Sequence, residues 1–218
     1  MRAEIGHGGD ARRAALGNVE RASRTLGGMK DVSGRTALLR ATVVVVAGGG
    51  LRALTYRAVA AEAGVSHGLV RHHFGTRDQL VAEAMEYAIH TSLRDSNMLS
   101  EALTPDEFAG GIESLADREA SIQSFQYELL LESRRRPELR PLAELHYRAY
   151  REAIARQLTR LGVVDEALTE LIWFTLDGIV FKQLVLPEDV SPAVRRMRTL
   201  VAEAAGAAGA VGAAGAPA

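Results

Sequence analysis

A group of hydrogen-bond donors lies on one short predicted helix. Its members, on the outward face of that helix, are His67, Gly68, Arg71 and His72. Imidazole and guanidinium groups can donate hydrogen bonds to phosphates and to the edges of bases. The glycine, early in the helix, would let the backbone approach a duplex closely. These residue types at this spacing predict a helix that lies in the major groove of DNA.

Two helices joined by a tight turn would position these donors. Thr55 can cap the first helix, Gly64 can end it in a left-handed conformation, and Ser66 can cap the second. The apolar side chains that would pack between the two helices are Val59, Ala60, Ala63, Val65, Val70 and Phe74. Thr76 and Gln79 have the spacing of a capping box and begin a third helix. The spacing therefore predicts a helix-turn-helix.

Positive charge is concentrated in the same segment. The chain as a whole has a net charge of -1 and a pI near 6.6, so affinity for DNA must come from a local patch. The charged residues between positions 32 and 80 are Arg35, Arg40, Arg52, Arg57, Arg71 and Arg77 against Glu62 and Asp78. We expect Thr55, His73 and Arg77 to contact phosphates. The full set of candidate DNA-binding residues is Thr55, Arg57, Ser66, His67, Gly68, Arg71, His72, His73 and Arg77.

The segment 55–80 resembles the helix-turn-helix of the tetracycline-repressor (TetR) family of transcriptional regulators. The matching residues are Thr55, Arg57, Val59, Ala60, Ala63, Gly64, Val65, Ser66, Gly68, His73, Phe74, Arg77 and Leu80. Where the family commonly has threonine, leucine and tyrosine, this chain has Leu69, Val70 and Arg71. The family's tyrosine usually touches the DNA backbone, and an arginine can make that contact as well.

The resemblance implies an all-α protein with two domains. Residues 34–80 would form a three-helix helix-turn-helix domain, and residues 81–204 a helical domain for effector binding and dimerisation. It further implies a homodimer on double-stranded operator DNA of pseudo-palindromic sequence. Such a protein is most often a repressor that a small-molecule effector releases. We expect neither enzymatic activity nor a cofactor.

Composition narrows the class of protein further. The chain has no cysteine, which excludes disulfides, zinc fingers and thiol catalysis. Its apolar runs are too short to cross a membrane, and its N-terminus lacks the order of a signal peptide, so we expect a cytoplasmic protein without a membrane partner. His67, His72 and His73 lack the i, i+3 or i, i+4 spacing of metal ligands on a helix, so no metal site is expected. No set of nucleophile, base and orienting group can be assembled from the spacing.

The segment Val43–Ala53 supports a competing interpretation. A run of four valines followed by glycines resembles the strand and fingerprint of a dinucleotide-binding unit, which would make the protein a nucleotide-dependent enzyme. Such a unit needs a second apolar strand, and none follows Ala63. We therefore interpret the valines as part of a helix that begins near Arg35 and ends at Gly48. A helical DNA-binding protein without any effector is the other alternative.

The remainder of the chain is predicted to be helical. A single apolar stripe from Leu80 to Leu93 predicts one helix that runs from the first domain into the second. Residues 1–33 are rich in alanine, arginine and glycine and are predicted to be a disordered extension, with a basic DNA-contacting arm as the alternative. Residues 205–218 are alanine and glycine repeats and are predicted to be a disordered tail.

Aromatic and polar residues of the second domain indicate an effector pocket. Ligand pockets are mostly apolar with a few polar groups, and an acidic residue and a histidine interrupt these apolar segments. The candidate ligand-binding residues are Phe125, Leu129, His146, Tyr147, Tyr150, Trp173 and Asp177.

The segment Asp165–Leu186 is apolar almost all round, so one neighbouring layer cannot cover it. We expect it to pair with the last helix of the domain and with a second copy of the chain across a two-fold axis. The candidate dimer-interface residues are Ile172, Ile179, Val194, Met197 and Val201.

Overall fold

The computed structural model of the chain describes residues 34–100 and 104–214, with side chains as far as residue 207. These residues form α-helices joined by short 3-10 turns, and none of them is in a strand, which confirms the predicted all-α fold. The α-helices are α1 (34–49), α2 (Tyr56–Ala63), α3 (His67–Phe74), α4 (Arg77–Asp95), α5 (Leu115–Arg118), α6 (Ala120–Ser133), α7 (Arg140–Arg160), α8 (Glu166–Val185) and α9 (Ser191–Ala214). The predicted N-terminal extension, residues 1–33, lies outside the described residues.

The first three helices form the predicted helix-turn-helix domain. Gly64 ends α2 with φ 68°, and the amide of Val65 donates to the carbonyl of Ala60 at 2.9 Å, which closes the helix end. Val59 on α2 and Val70 on α3 have no exposed surface, so the two helices meet through their inner faces as predicted.

The valine run is helical, so the dinucleotide-binding interpretation is wrong. Val43 and Val46, three residues apart, are buried in the core of the domain, whereas Val44 is 36% exposed. Packing of this face outweighs the preference of valine for strands. Helix α1 continues to residue 49, and Gly50 then turns the chain with φ 69° into the 3-10 turn Leu51–Ala53.

Helix α4 connects the two domains, as predicted. The hydroxyl of Thr76 accepts a hydrogen bond from the amide of Gln79 at 3.2 Å and caps the helix. Leu80 at the start of α4 and Leu93 near its end are both buried. In the second domain α4 packs against α6 and α7, and α7 packs against α8.

Helix α9 closes the second domain and is longer than the sequence predicts. Arg198 forms an ion pair with Glu113 at 2.7 Å and donates to the carbonyl of Phe108 at 2.9 Å, which holds α9 against the segment between α4 and α5. The helix extends to Ala214, whereas the sequence predicted a disordered tail from residue 205. Alanine has the highest helix propensity and sustains the helix where there is little apolar surface to bury. None of the described helices is long and apolar enough to span a membrane.

Candidate DNA-binding surface and effector cavity

The outer face of α2 and α3 presents most of the predicted DNA-binding residues to solvent. The exposed members of the set are Thr55, Arg57, Ser66, His67, Gly68, Arg71 and His72. A Cβ atom added to Gly68 would meet no other atom within 4 Å, so nothing inside the protein requires a glycine there. Its absent side chain therefore leaves room for something outside the protein.

The two predicted helix caps differ from each other. The hydroxyl of Thr55 accepts a hydrogen bond from the amide of Ala58 at 3.0 Å and caps α2 as expected. Ser66 precedes α3 but makes no capping hydrogen bond with its side chain. Its hydroxyl is exposed at the start of the helix that faces outward.

Arg77 was predicted to bind a phosphate, but the structure gives it contacts inside the protein. Its guanidinium donates to the carbonyl of Leu51 at 2.7 Å and to that of Leu54 at 3.3 Å. The side chain thereby joins the start of α4 to the turn that follows α1. His73 is half-buried, and its carbonyl accepts a hydrogen bond from Arg35 at 2.8 Å. The exposed groups on α2 and α3 are therefore better placed for DNA than these two.

A small cavity with a volume of about 30 Å³ lies in the second domain, between α4, α6, α7 and α8. Its lining is Ser92, Ser96, Met98, Ile112, Leu115, Gln123, Tyr127, His146, Tyr150, Ile154, Trp173, Leu176, Asp177 and Val180. Four predicted ligand-binding residues line it: His146, Tyr150, Trp173 and Asp177. Phe125 and Leu129 are fully buried in the core instead, and Tyr147 is 48% exposed in a cleft outside the cavity.

A chain of buried amides, which the sequence interpretation missed, supports the cavity wall. Gln123 donates to the hydroxyl of Ser92 at 3.0 Å, and the side-chain NH₂ of Gln126 faces the carbonyl of Ile122 at 3.3 Å. The Oε1 atom of Gln126 therefore faces the hydroxyl of Tyr150 at 2.9 Å and Nδ1 of His146 at 3.2 Å. The spacing of Gln123, Gln126 and Tyr127 on one face of α6 is the signal that could have identified them.

The hydrogen bond to Gln126 determines the state of His146. Because Oε1 can only accept, Nδ1 must carry the proton, and Nε2 is left as an acceptor. Nε2 is buried and has no hydrogen-bond partner among the described residues. Burial lowers the pKa of His146 from 6.5 to about 4, which keeps the ring neutral near neutral pH.

Asp177 brings a carboxyl group to the cavity wall. Burial raises its pKa above the usual value, while a hydrogen bond from the hydroxyl of Tyr127 at 3.0 Å acts in the other direction. Burial beside this carboxyl raises the pKa of Tyr127, so its hydroxyl keeps its proton. No lysine or arginine forms an ion pair with Asp177 within residues 34–100 and 104–207.

Trp173 separates the cavity from an outer cleft between α7 and α8, since it lines both. Its ring stacks on that of Tyr150, with centroids 5.3 Å apart and an angle of 20° between the planes. The rings of His146 and Tyr147 contact the ring of Trp173 edge-on, and in each pair the ring centroids are 5.8 Å apart. Aromatic faces therefore form one side of the site.

Glu128 on α6 joins the two domains rather than lining the cavity. Its Oε1 atom accepts a hydrogen bond from the amide of Leu51 at 3.2 Å. The preceding Gly50 lies so close that a Cβ there would be 2.8 Å from the same oxygen. The carbonyl of Leu51 in turn accepts a hydrogen bond from the guanidinium of Arg77. A short path of hydrogen bonds thus leads from the cavity helix α6 to the first turn of α4.

The predicted dimer-interface residues are all inside the protomer. Ile172, Ile179, Val194, Met197 and Val201 are each exposed by 8% or less. They pack α8 and α9 into the core of their own domain, which leaves little of their surface for contact with a second copy. A helix that is apolar all round has no preferred face, and its sequence does not show which stripe is turned inward.

A different stripe of α8 is apolar and exposed. Between 47% and 60% of each side chain is exposed in Leu171, Phe174, Phe181 and Val185. Gly178 lies between the two phenylalanines, and a Cβ there would meet nothing within 4 Å. The stripe has helical spacing and therefore forms one continuous face.

Comparison with solved structures finds the same arrangement of helices elsewhere. A transcriptional regulator from Rhodococcus sp. Rha1 is 21% identical and aligns with a TM-score of 0.62 over 78% of this chain and 96% of its own. A TetR-family protein from Streptomyces coelicolor A3 is 26% identical, with a TM-score of 0.60 over 78% of this chain and 96% of its own. The multidrug binding protein EbrR, complexed with imidazole, is 27% identical, with a TM-score of 0.55 over 77% and 93%. EbrR has also been solved with proflavin and with malachite green. No curated protein matches the chain.

Two family models match the sequence, one for each domain. Residues 38–84 match the model of bacterial regulatory proteins of the tetR family. Residues 103–207 match the tetracyclin repressor-like C-terminal domain. Together with the helix-turn-helix and the helical domain behind it, these matches show that the chain belongs to the TetR family of DNA-binding transcriptional regulators.

Proposed function

We propose that the protein is a homodimeric repressor that leaves a pseudo-palindromic operator when a small molecule fills the cavity between α4, α6, α7 and α8. The cavity carries this proposal. It combines aromatic walls with a few polar groups, as ligand sites do, and a ligand larger than its volume of about 30 Å³ must widen it. EbrR, which has a similar fold, binds small molecules, and this supports an effector-binding role here. Since the target is chromosomal DNA, we infer that the protein acts in the cytoplasm.

The hydrogen bonds around α6 give the ligand a route to the DNA-binding domain. Tyr127 lines the cavity, and the adjacent Glu128 holds the amide of Leu51. A ligand that shifts α6 therefore also shifts the turn after α1, and Arg77 links that turn to α4. Such a ligand changes operator affinity only if it binds the two arrangements with different affinity.

The exposed stripe of α8 is the proposed dimer interface. Leu171, Phe174, Phe181 and Val185 would leave a contiguous apolar patch in water, which is typical of an interaction site. Gly178 would allow the equivalent helix of a second copy to approach closely. Pairing like with like across a two-fold axis would present two α3 helices to two half-sites, which lie about 34 to 36 Å apart on DNA.

Selection of DNA followed by ligand screening tests the regulatory role. Purified protein would be incubated with sheared genomic DNA, and the retained fragments sequenced and used as fluorescent probes. We expect a fragment with an inverted repeat, and release of that fragment by at least one small molecule that also raises the melting temperature of the protein. Stable binding to the fragment in the presence of every stabilising compound would instead favour the alternative of a DNA-binding protein without an effector.

Sedimentation tests the interface. The double substitution Phe174→Glu with Val185→Glu should convert the dimer into a monomer because it places two charges on the apolar stripe. Val164→Glu is the matched control, since Val164 is an apolar residue that is 87% exposed and lies outside α8. A monomeric wild-type protein at micromolar concentration, or a double variant that remains dimeric, would contradict the assignment.

A further inference from the structure

Two polar groups in the cavity lack the partners that their chemistry requires. Nε2 of His146 is an acceptor without a donor, and the carboxylate of Asp177 has a hydrogen bond from Tyr127 but no opposite charge among the described residues. Buried acceptors and buried charges are costly unless they are paired. Both groups line the same cavity, so one ligand can satisfy both.

We propose that the effector is a planar aromatic monocation that bears an N–H group, with its N–H donating to Nε2 of His146 and its charge opposite Asp177. This inference rests on the proposed effector role of the cavity and names the chemical class of the ligand.

The lining excludes the opposite charge. Among the described residues that line the cavity there is no lysine or arginine, so an anionic ligand would meet Asp177 without compensation. A cation has the reverse effect, because it replaces the solvation that the carboxylate has lost. His146 cannot provide a competing positive charge near neutral pH, since burial holds its pKa near 4.

The aromatic wall accounts for the planar part of the ligand. Tyr150 and Trp173 already form a stacked pair with an angle of 20° between their rings. A flat cationic ring placed on such a face gains both stacking and the attraction between a cation and the π electrons. Two fused rings exceed the cavity volume of about 30 Å³, so their binding requires the helices around the cavity to move apart.

His146 and its neighbours also determine where the N–H must point. Gln126 holds Nδ1 of the imidazole at 3.2 Å, and the ring of Tyr150 lies 4.7 Å from the ring of His146. The ring is therefore held on two sides, and only its Nε2 edge is left to accept a hydrogen bond. A cation without an N–H group would satisfy Asp177 and leave this acceptor unpaired.

A matched series of quinolines separates charge from hydrogen bonding. 4-Aminoquinoline is a cation with N–H groups at neutral pH, 1-methylquinolinium is a cation without one, and quinoline-4-carboxylate is an anion. Calorimetry with the purified full-length protein would measure binding of each. We expect 4-aminoquinoline to bind about two- to tenfold more tightly than 1-methylquinolinium, and the carboxylate to bind more weakly than both cations.

Three substitutions assign the effects to residues. Asp177→Asn should weaken both cations about ten- to hundredfold. His146→Asn keeps a donor for Gln126 at the δ position but has no acceptor at the ε position, so it should remove only the difference between the two cations. Asp78→Asn, an exposed change of equal charge at the start of α4, is the control and should change neither affinity.

Several results would overturn the ligand class. These are equal or tighter binding of the carboxylate, cation affinities in Asp177→Asn equal to those in Asp78→Asn, or binding of no quinoline at all. The comparison of the three compounds on wild-type protein remains decisive if a cavity variant fails to fold. A cation that binds as expected but leaves the DNA complex intact supports the ligand class and refutes the effector role. An anion that releases DNA supports the effector role and refutes the ligand class.

Discussion

Acidification should destabilise the protein through the buried imidazole of His146. Its pKa is 6.5 as an ordinary histidine and about 4 in the folded protein. The folded-state value is the lower one, so between these values the unfolded chain binds more protons. The stability associated with the neutral ring is therefore fully present above about pH 6.5 and falls as the pH decreases toward 4. The expected loss is about 1 kcal/mol near pH 5.5 and roughly 2 to 3 kcal/mol near pH 4.5.

Urea denaturation at a series of pH values measures this loss. The free energy of unfolding would be determined for wild-type protein and for His146→Asn at one fixed protein concentration, because the proposed dimerisation would contribute to stability. Asparagine does not titrate and still offers a donor to Gln126. Asp177 has a raised pKa and therefore acts with the opposite sign at lower pH, but it is present in both proteins and cancels from their difference.

The difference in unfolding free energy between wild type and His146→Asn, followed as a function of pH, tests this expectation. Wild-type protein should lose stability relative to His146→Asn as the pH falls below about 6.5, with a slope that approaches about 1.4 kcal/mol per pH unit. Parallel curves over this range would show that the imidazole takes up a proton in the folded protein. Below about pH 6.5 its Nε2 would then be a donor, and the proposed contact with a ligand N–H would be lost as the pH falls.

Four further substitutions separate DNA contact from stability and from coupling. Arg71→Ala should weaken binding to the selected DNA fragment by about 1 to 3 kcal/mol and leave the urea midpoint of unfolding unchanged. Arg77→Ala should instead lower the urea midpoint, because it removes the donor to two carbonyls. Filter binding and urea titration of both variants would show whether the two arginines have the opposite roles. Gly68→Leu should fold at least as stably as wild type, since its side chain has open space and glycine is a poor helix residue, yet lose affinity for DNA; full affinity in a fluorescence titration would refute a close approach of α3 to the duplex. Glu128→Gln weakens the charged hydrogen bond to the turn after α1, so it should reduce the ligand-induced change in DNA affinity by about 0.5 to 2 kcal/mol, and an unchanged ratio of affinities with and without ligand would exclude this path.

The helix-turn-helix could be predicted because its signals are local. Gly64, Thr55 and Thr76 act on backbone groups within four residues of themselves, so their effect can be seen in the sequence alone. Part of the cavity lining could be predicted for a related reason. His146 and Asp177 are polar residues on apolar helices and indicate a site, whereas the amide of Gln126 becomes important only when α6 and α7 come together.

Other features depend on contacts distant in sequence. Arg77 looks like a phosphate ligand until the carbonyl of Leu51, 26 residues earlier, is found to accept its hydrogen bond. Ile179 and Phe181 are equally apolar, but the fold buries the first and exposes the second. Hydrophobicity cannot distinguish them, since the choice depends on which neighbours α8 meets. The same holds for the valines of α1, whose preference for strands is overcome by packing.

The close approach of Gly50 to Glu128 has a consequence for genetics. In a selection for cells that no longer respond to the proposed effector, most alleles are expected in the cavity, where they would abolish ligand binding. Gly50 should form a second class. A side chain there would displace Glu128 and strain a backbone with φ 69°, although the residue contacts neither the cavity nor the outer face of α3. Such an allele would retain affinity for both ligand and DNA and lose only the dependence of one on the other.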